Sequence, residues 1–197
     1  MTSKSGKAKG RRLQVLVAET LAARFNLTIE AAAPTKPGLR ANGARYVSEG
    51  DMADLRVRQM GQPGADVALL SEHARAVVRL PGREPIWWEC KNSESWALDA
   101  GFWRAHDLPK FALKAIQQAY GACLKAGKLD QYTAMPVIVL GKNNHEPMAL
   151  WQAHRNELAC FHDSGVILID GQGWAMCRFD MFVQTLYALC PVLKEAA

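Results

Sequence analysis

Hydrophobic and polar positions along the chain fall into blocks of helical and of strand period. Between residues 11 and 25, Val17, Ala18, Leu21 and Phe25 recur on one helical face, and the polar Gln14 falls on that same face. The segments ADLRVR (53–58) and ADVALL (65–70) predict two strands separated by the turn MGQPG (60–64). The segment SEHARAVVRLPGRE reads as a connection with room for a short helical turn, and PIWWECKN (85–92) as a third strand. Pro109 opens a helix that runs to about Ala126 and stops near Gly127. MPVIVLG (135–141) predicts a buried strand, PMALWQAH and VILID two short ones, and GWAMCR followed by FDMFVQTLYAL a strand entering a terminal helix that ends before Pro191. Residues 34–50, rich in Pro, Gly and Asn, predict a loop, and residues 1–10 a mobile basic arm. The sum is an α/β domain over 11–197 with a central mixed sheet flanked by helices.

Composition supports one domain with a substantial core: 197 residues, 49% of them apolar, with six Trp and six Phe. No apolar run approaches the roughly 20 residues of a membrane helix. The amphipathic segment after the basic N-terminus is broken by Gln14, Glu19 and Arg24, unlike a secretory signal, so a cytoplasmic location is expected. The five cysteines form no CxxC and no zinc-spaced Cys/His set, which predicts reduced core thiols. The formal net charge of +5 is compatible with a polyanionic partner. Five basic residues between Lys4 and Arg12 read either as a solvated tail or as a phosphate-seeking arm, with Lys9, Arg11 and Arg12 as DNA contacts in the second case.

The chemistry concentrates in the third strand. With period 2, Ile86, Trp88 and Cys90 point one way, and Trp87, Glu89 and Lys91 the other. A carboxylate and an ammonium inside an apolar strand are costly to bury without partners. Asp66, just after the Gly-containing turn on the preceding strand, approaches Glu89 if the two strands pair. Two close carboxylates repel, and a divalent cation removes the conflict. Asp and Glu oxygens suit Mg²⁺ or Mn²⁺, with the Cys90 carbonyl as a third ligand and Lys91 to steady an attacking water or a phosphate oxygen. The alternative is a Glu89–Lys91 salt bridge on an exposed sheet face. The five histidines have no ligand spacing, and no phosphate-cradling glycine motif for ATP or dinucleotides is present.

Three segments, KGRRLQ (9–14), DLRVRQMGQPGADVALLS (54–71) and WECKNSE (88–94), resemble in order and spacing the small phage-type nucleases of the PD-(D/E)XK superfamily, relatives of archaeal-type Holliday junction resolvases. The resemblance covers about two thirds of the chain. It implies a restriction-endonuclease-like fold, metal ligands at Asp66 and Glu89, a catalytic Lys91, and site roles for Gln14 and Gln118. Gln118 lies in KAIQQAYGAC (114–123) on a helical face with Lys110, Lys114 and Lys125, away from the apolar Leu113, Ile116 and Tyr120; Gln117, nearer the core face, is its rival. That basic face meets a DNA backbone or is simply solvated. Arg56 and Arg58 line a DNA cleft or form a polar sheet face. Gln14 is otherwise a satisfied polar residue at the core edge.

The chain departs from the family at Ala65, where many relatives carry an acid, and in insertions near 95–110 and 143–172. The first of these brings Trp96, Phe102 and Trp103, which stack on unpaired bases or pack a core or dimer interface. The implied activity is metal-dependent DNA cleavage, with branched DNA as substrate and a homodimer where two strands are cut symmetrically. A non-catalytic nucleic-acid-binding protein on the same fold, and an RNA or restriction-type nuclease, are the competing readings.

Overall fold

The computed structural model describes residues 4–32, 35–48, 50–58, 64–92, 110–130, 135–142, 145–153, 160, 165–169 and 172–190. The first helix, α1 (Lys4–Phe25), begins inside the segment expected to be an arm. Lys and Ala are good helix formers, and a helix nucleated by its packed part extends backwards at little further cost. Val17, Ala18, Leu21 and Phe25 are buried, as their spacing predicts, and Leu13 and Ala22 are buried beside them. The helix ends where Asn26 adopts a left-handed φ of 53° and the Leu27 N–H donates to the Ala22 carbonyl at 3.0 Å.

Three short strands follow: β1 (Thr28–Glu30), β2 (Gly38–Leu39) and β3 (Arg45–Val47). The predicted loop over 34–50 therefore contains two strands, and a third precedes it. At two or three residues each, they are too short to display a hydrophobic period. The expected hairpin appears as β4 (Leu55–Val57) and β5 (Val67–Leu69), and the connection carries a helix, α2 (Glu72–Val77), capped by the Ser71 hydroxyl, which accepts from the Ala74 N–H. Then come β6 (Ile86–Asn92), α3 (Lys110–Asp130), β7 (Met135–Gly141), β8 (Met148–Gln152), β9 (Gly165–Ile169), β10 (Gln172–Arg178) and α4 (Phe179–Leu189).

The strands form one mixed sheet in the order β2-β3-β1-β4-β5-β6-β7-β8-β10-β9. Its centre is the parallel pair β6 and β7, joined through α3, which is the arrangement a crossover helix makes possible. The main core lies on the face covered by α1 and α4, where Trp88 meets Phe179 and Phe182 edge-on and Trp151 packs on Phe182. The opposite face is covered by α3, with Ala115, Ile116 and Ala119 against Ile138, Leu140, Leu150, Trp174 and Met176. Among the described residues no helix is long and apolar enough to cross a membrane.

Candidate active site

The two faces of β6 separate as its period requires. Ile86, Trp88 and Cys90 belong to the main core. Trp87 lies on the other face in a small apolar cluster with Ala65 and with Cys123 of α3. Glu89 and Lys91 continue that second face, in register with Ile138 and Leu140 of β7. The Lys91 Nζ stands 2.6 Å from the Glu89 Oε1, with the Glu89 side chain only 12% exposed and that of Lys91 27%. The expected ion pair thus exists, but inside the molecule and not on an open sheet surface.

Asp66 sits where β5 begins. Its own N–H donates to the Trp88 carbonyl at 2.9 Å, and its carbonyl accepts from the Arg58 N–H at 3.0 Å. Strands β5 and β6 share a single register pair, Val67 with Trp88. Beyond it the Asp66 carboxylate takes over the ladder: Oδ2 accepts from the Cys90 N–H at 2.7 Å. Its Oδ1 accepts from the Gln14 Nε2 at 2.8 Å. Two residues before Asp66, Gly64 adopts a φ of +115°, a conformation that other residues rarely take, with the Arg58 guanidinium packed against it.

Burial pushes the Asp66 carboxyl above its usual range, although the Cys90 N–H, the Lys91 charge and Gln14 pull the other way. Burial does the same to Glu89, and the neighbouring Asp66 charge adds to it, while Lys91 opposes. The Trp87 indole N–H also favours the charged form of Glu89, yet it makes no hydrogen bond of normal geometry. The Cys123 thiol, pushed up to about 12 by burial and by Glu89, and the fully buried Cys90 thiol, raised by burial and by both carboxylates, are held as neutral S–H groups.

Gln14 is the one buried polar side chain among the described residues, at 3% exposure. Its amide N–H₂ faces Asp66, and its Oε1 is buried with no hydrogen-bond partner. An orphaned acceptor beside two carboxylates held against their preference is a donor set short of positive charge. Among the described residues no group of three or more His, Cys, Asp or Glu assembles as a cation cage. Two carboxylates fit Mg²⁺ or Mn²⁺, which take few protein ligands and keep waters, better than Zn²⁺ or Ca²⁺.

The other predicted residues are placed less centrally. Gln118 is exposed on α3 beside the exposed Lys114 and Lys125, and among the described residues no hydrogen bond ties it to the carboxylates. Gln117 is also exposed and not near the core face. Lys9 and Lys110 belong to α1 and α3, but their side chains lie outside the described residues. Arg12 is exposed, whereas Arg11, expected on DNA, is half-buried and donates through Nη1 to the carbonyls of Val57 (3.2 Å) and Arg58 (2.8 Å). A guanidinium at the packed start of α1 finds these strand-end carbonyls within reach, so it turns inward. Arg58, just past β4, is half-buried against Gly64, and Arg56 on β4 forms a forked ion pair with Glu30. The aromatics of the 95–110 insertion, Trp96, Phe102 and Trp103, lie outside the described residues, whereas the 143–172 segment supplies β8 and β9. The signal for Arg11 was available only as its spacing of three from Gln14, which puts both on one helical face.

Compared with family models, with curated proteins and with solved structures, the chain matches none.

Proposed function

We propose that the protein is a metal-dependent endonuclease that hydrolyses phosphodiester bonds in DNA, on a restriction-endonuclease-like fold of the PD-(D/E)XK type. The observation that carries this reading is a pair of half-buried carboxylates, Asp66 and Glu89, both held against their preference for protonation and both facing the Lys91 charge. A purely structural carboxylate pair gains nothing from such an arrangement. Mg²⁺ or Mn²⁺ would be held by Asp66 and Glu89. The Cys90 carbonyl is the third candidate, because a strand residue sends its N–H and C=O to the same edge and the Cys90 N–H goes to Asp66.

Bound there, the ion supplies a Lewis acid for the phosphate and a water of lowered pKa. The chain's own residues set the stage. Gln14 and the Cys90 N–H fix the two oxygens of Asp66, so its orientation precedes ligand arrival. Lys91, held beside Glu89 in the free protein, is the cation placed to meet the charge that develops on a non-bridging phosphate oxygen. The exposed Lys114, Lys125 and Arg12 are candidates for backbone phosphates. Branched DNA as substrate, a homodimer and a cytoplasmic location complete the proposal; they rest on the resemblance of the motif segments and on sequence composition.

The test is cleavage of labelled four-way junction, duplex and single-stranded DNA, with matched RNA, in Mg²⁺, Mn²⁺ or EDTA. Wild type is run beside Asp66→Ala and Lys91→Ala. Metal-dependent cutting lost in both variants is expected, and the preferred substrate names the activity. Equal cutting by wild type and variants sinks the assignment. Binding without cutting under every metal condition favours a binding protein on the same scaffold.

A further inference from the structure

Arg11 and Gln14 lie one turn apart on α1, and each reaches the same short stretch of chain by a different route. Gln14 holds the Asp66 side chain through Oδ1. Arg11 holds the backbone of β4 where it ends, through the carbonyls of Val57 and Arg58. The Arg58 N–H in turn donates to the Asp66 carbonyl at 3.0 Å. The four residues therefore close a ring: Arg11 to the Arg58 backbone, the Arg58 backbone to the Asp66 backbone, the Asp66 carboxylate to Gln14, and Gln14 to Arg11 through one helical turn. The Arg58 guanidinium lies against Gly64, two residues before Asp66.

We propose that Arg11 is a positioning residue for Asp66, and not a contact to nucleic acid. It acts through the Arg58 backbone and sets the height of the Asp66 carboxylate relative to Gln14 and the Cys90 N–H. This inference rests on the metal-site reading above, since Asp66 is the group being positioned. Three features support it over the bland alternative of a helix anchor. Its acceptors are the last residue of β4 and the residue after it, whose N–H donates to the Asp66 carbonyl. One guanidinium nitrogen, Nη1, donates to both carbonyls, so the two residues are held at a single point of Arg11. The next helical turn carries the direct ligand of the same carboxylate, so one rigid helix controls both the backbone and the side chain at Asp66.

The experiment compares wild type, Arg11→Lys, Arg11→Met and, as a control on the exposed neighbour, Arg12→Met. Four quantities are read: Mn²⁺ affinity by calorimetry on the full chain, the metal concentration for half-maximal cleavage, the affinity for a four-way DNA junction in EDTA with its salt dependence, and the thermal midpoint. Positioning predicts that Arg11→Met weakens Mn²⁺ binding and raises the half-saturating metal about tenfold. Arg11→Lys recovers part of the loss. DNA affinity in EDTA and its salt slope stay at the wild-type values in both Arg11 variants. A fall in the salt slope of about one with unchanged Mn²⁺ affinity would mean that Arg11 contacts a phosphate, and overturns the inference. A lowered thermal midpoint with Mn²⁺ affinity and metal dependence unchanged makes Arg11 a structural anchor only, and overturns it as well. Should Arg11→Met fail to fold, Arg11→Gln, which lacks the charge and the reach, is read in its place: wild-type Mn²⁺ affinity there overturns the inference. If wild-type protein itself binds no Mn²⁺, the metal-site reading has failed, and that result is visible before any variant is made.

Discussion

Two short stretches of this chain are nearly the same in sequence and opposite in physical state. Ala53-Asp54-Leu55 and Ala65-Asp66-Val67 each place an aspartate just ahead of a strand, at opposite ends of one hairpin. Asp54 is saturated. Its Oδ2 accepts from the Thr28 N–H (2.8 Å) and the Thr28 hydroxyl (2.9 Å), and its Oδ1 accepts from the Ser71 hydroxyl (2.6 Å). Burial pushes its carboxyl up, but Ser71, Thr28 and the nearby His73 outweigh it and the net direction is downward. Asp66 has two donors, deeper burial and a second carboxylate close by, and its net direction is upward. The contrast separates a carboxylate that ties elements together from one that, on the function proposed above, receives an outside cation. The difference lies in what surrounds each aspartate and not in its local sequence.

That contrast can be broken most directly by neutralising each aspartate. Asp66→Asn is expected to lower DNA cleavage by about 10³-fold or more while the folded state survives. Asp54→Asn is expected to leave the rate per folded molecule within about twofold and to cost about 1–3 kcal/mol in urea unfolding, because Thr28 and Ser71 lose a charged acceptor. An inactive, stable Asp54→Asn would erase the distinction. Ser71→Ala should cost about 1 kcal/mol by the same measurement, since one hydroxyl both caps α2 and donates to Asp54.

The smallest effect expected is also the sharpest, because its sign reverses between the two sites. A carboxyl whose folded pKa is lowered contributes stability that is present above its unfolded value and is lost as pH falls through the folded value. Asp54 is of that kind. Asp66 and Glu89 are raised, so their contribution to relative stability is present below the unfolded range and is lost as pH rises through the folded values. Thermal midpoints in EDTA should therefore show Asp54→Asn below wild type and Asp66→Asn above it at neutral pH. Both differences should shrink towards zero as pH drops below about 4. Parallel curves for the two variants would contradict the opposite directions assigned here.

The alternation along β6 was legible from sequence because a seven-residue apolar strand with two charges on one face admits only one assignment of faces. The buried face of α1, with Gln14 on it, was legible for the same reason at helical period. Strands β1 to β3 were not, since two or three residues cannot display a period and their ladder partners are remote in sequence. The site was readable as a set of residue types, Asp66, Glu89 and Lys91. Its second layer was not: the Cys90 N–H is a backbone group with no side-chain signature, and Arg11 looked like one more basic residue in a basic segment. Choosing Asp66 over Asp54 came from its place after the Gly-containing turn on the strand preceding β6, to which the motif resemblance added; the triplets alone do not differ.

The placement of the thiols has a separate consequence. Cys90, Cys177 and Cys190 are buried in the main core and Cys123 on the opposite face of the sheet, and Cys160 alone is half-buried. An alkylating reagent applied to the native protein should therefore mark Cys160 first, leaving the other four to react only as their surroundings open. Cys90 lies on the core face of the strand whose N–H grips Asp66, so its rate of alkylation would clock the breathing of that junction. The chain thus carries its own built-in reporters, and a mass-resolved time course would show which layer of the molecule loosens first without a single added label.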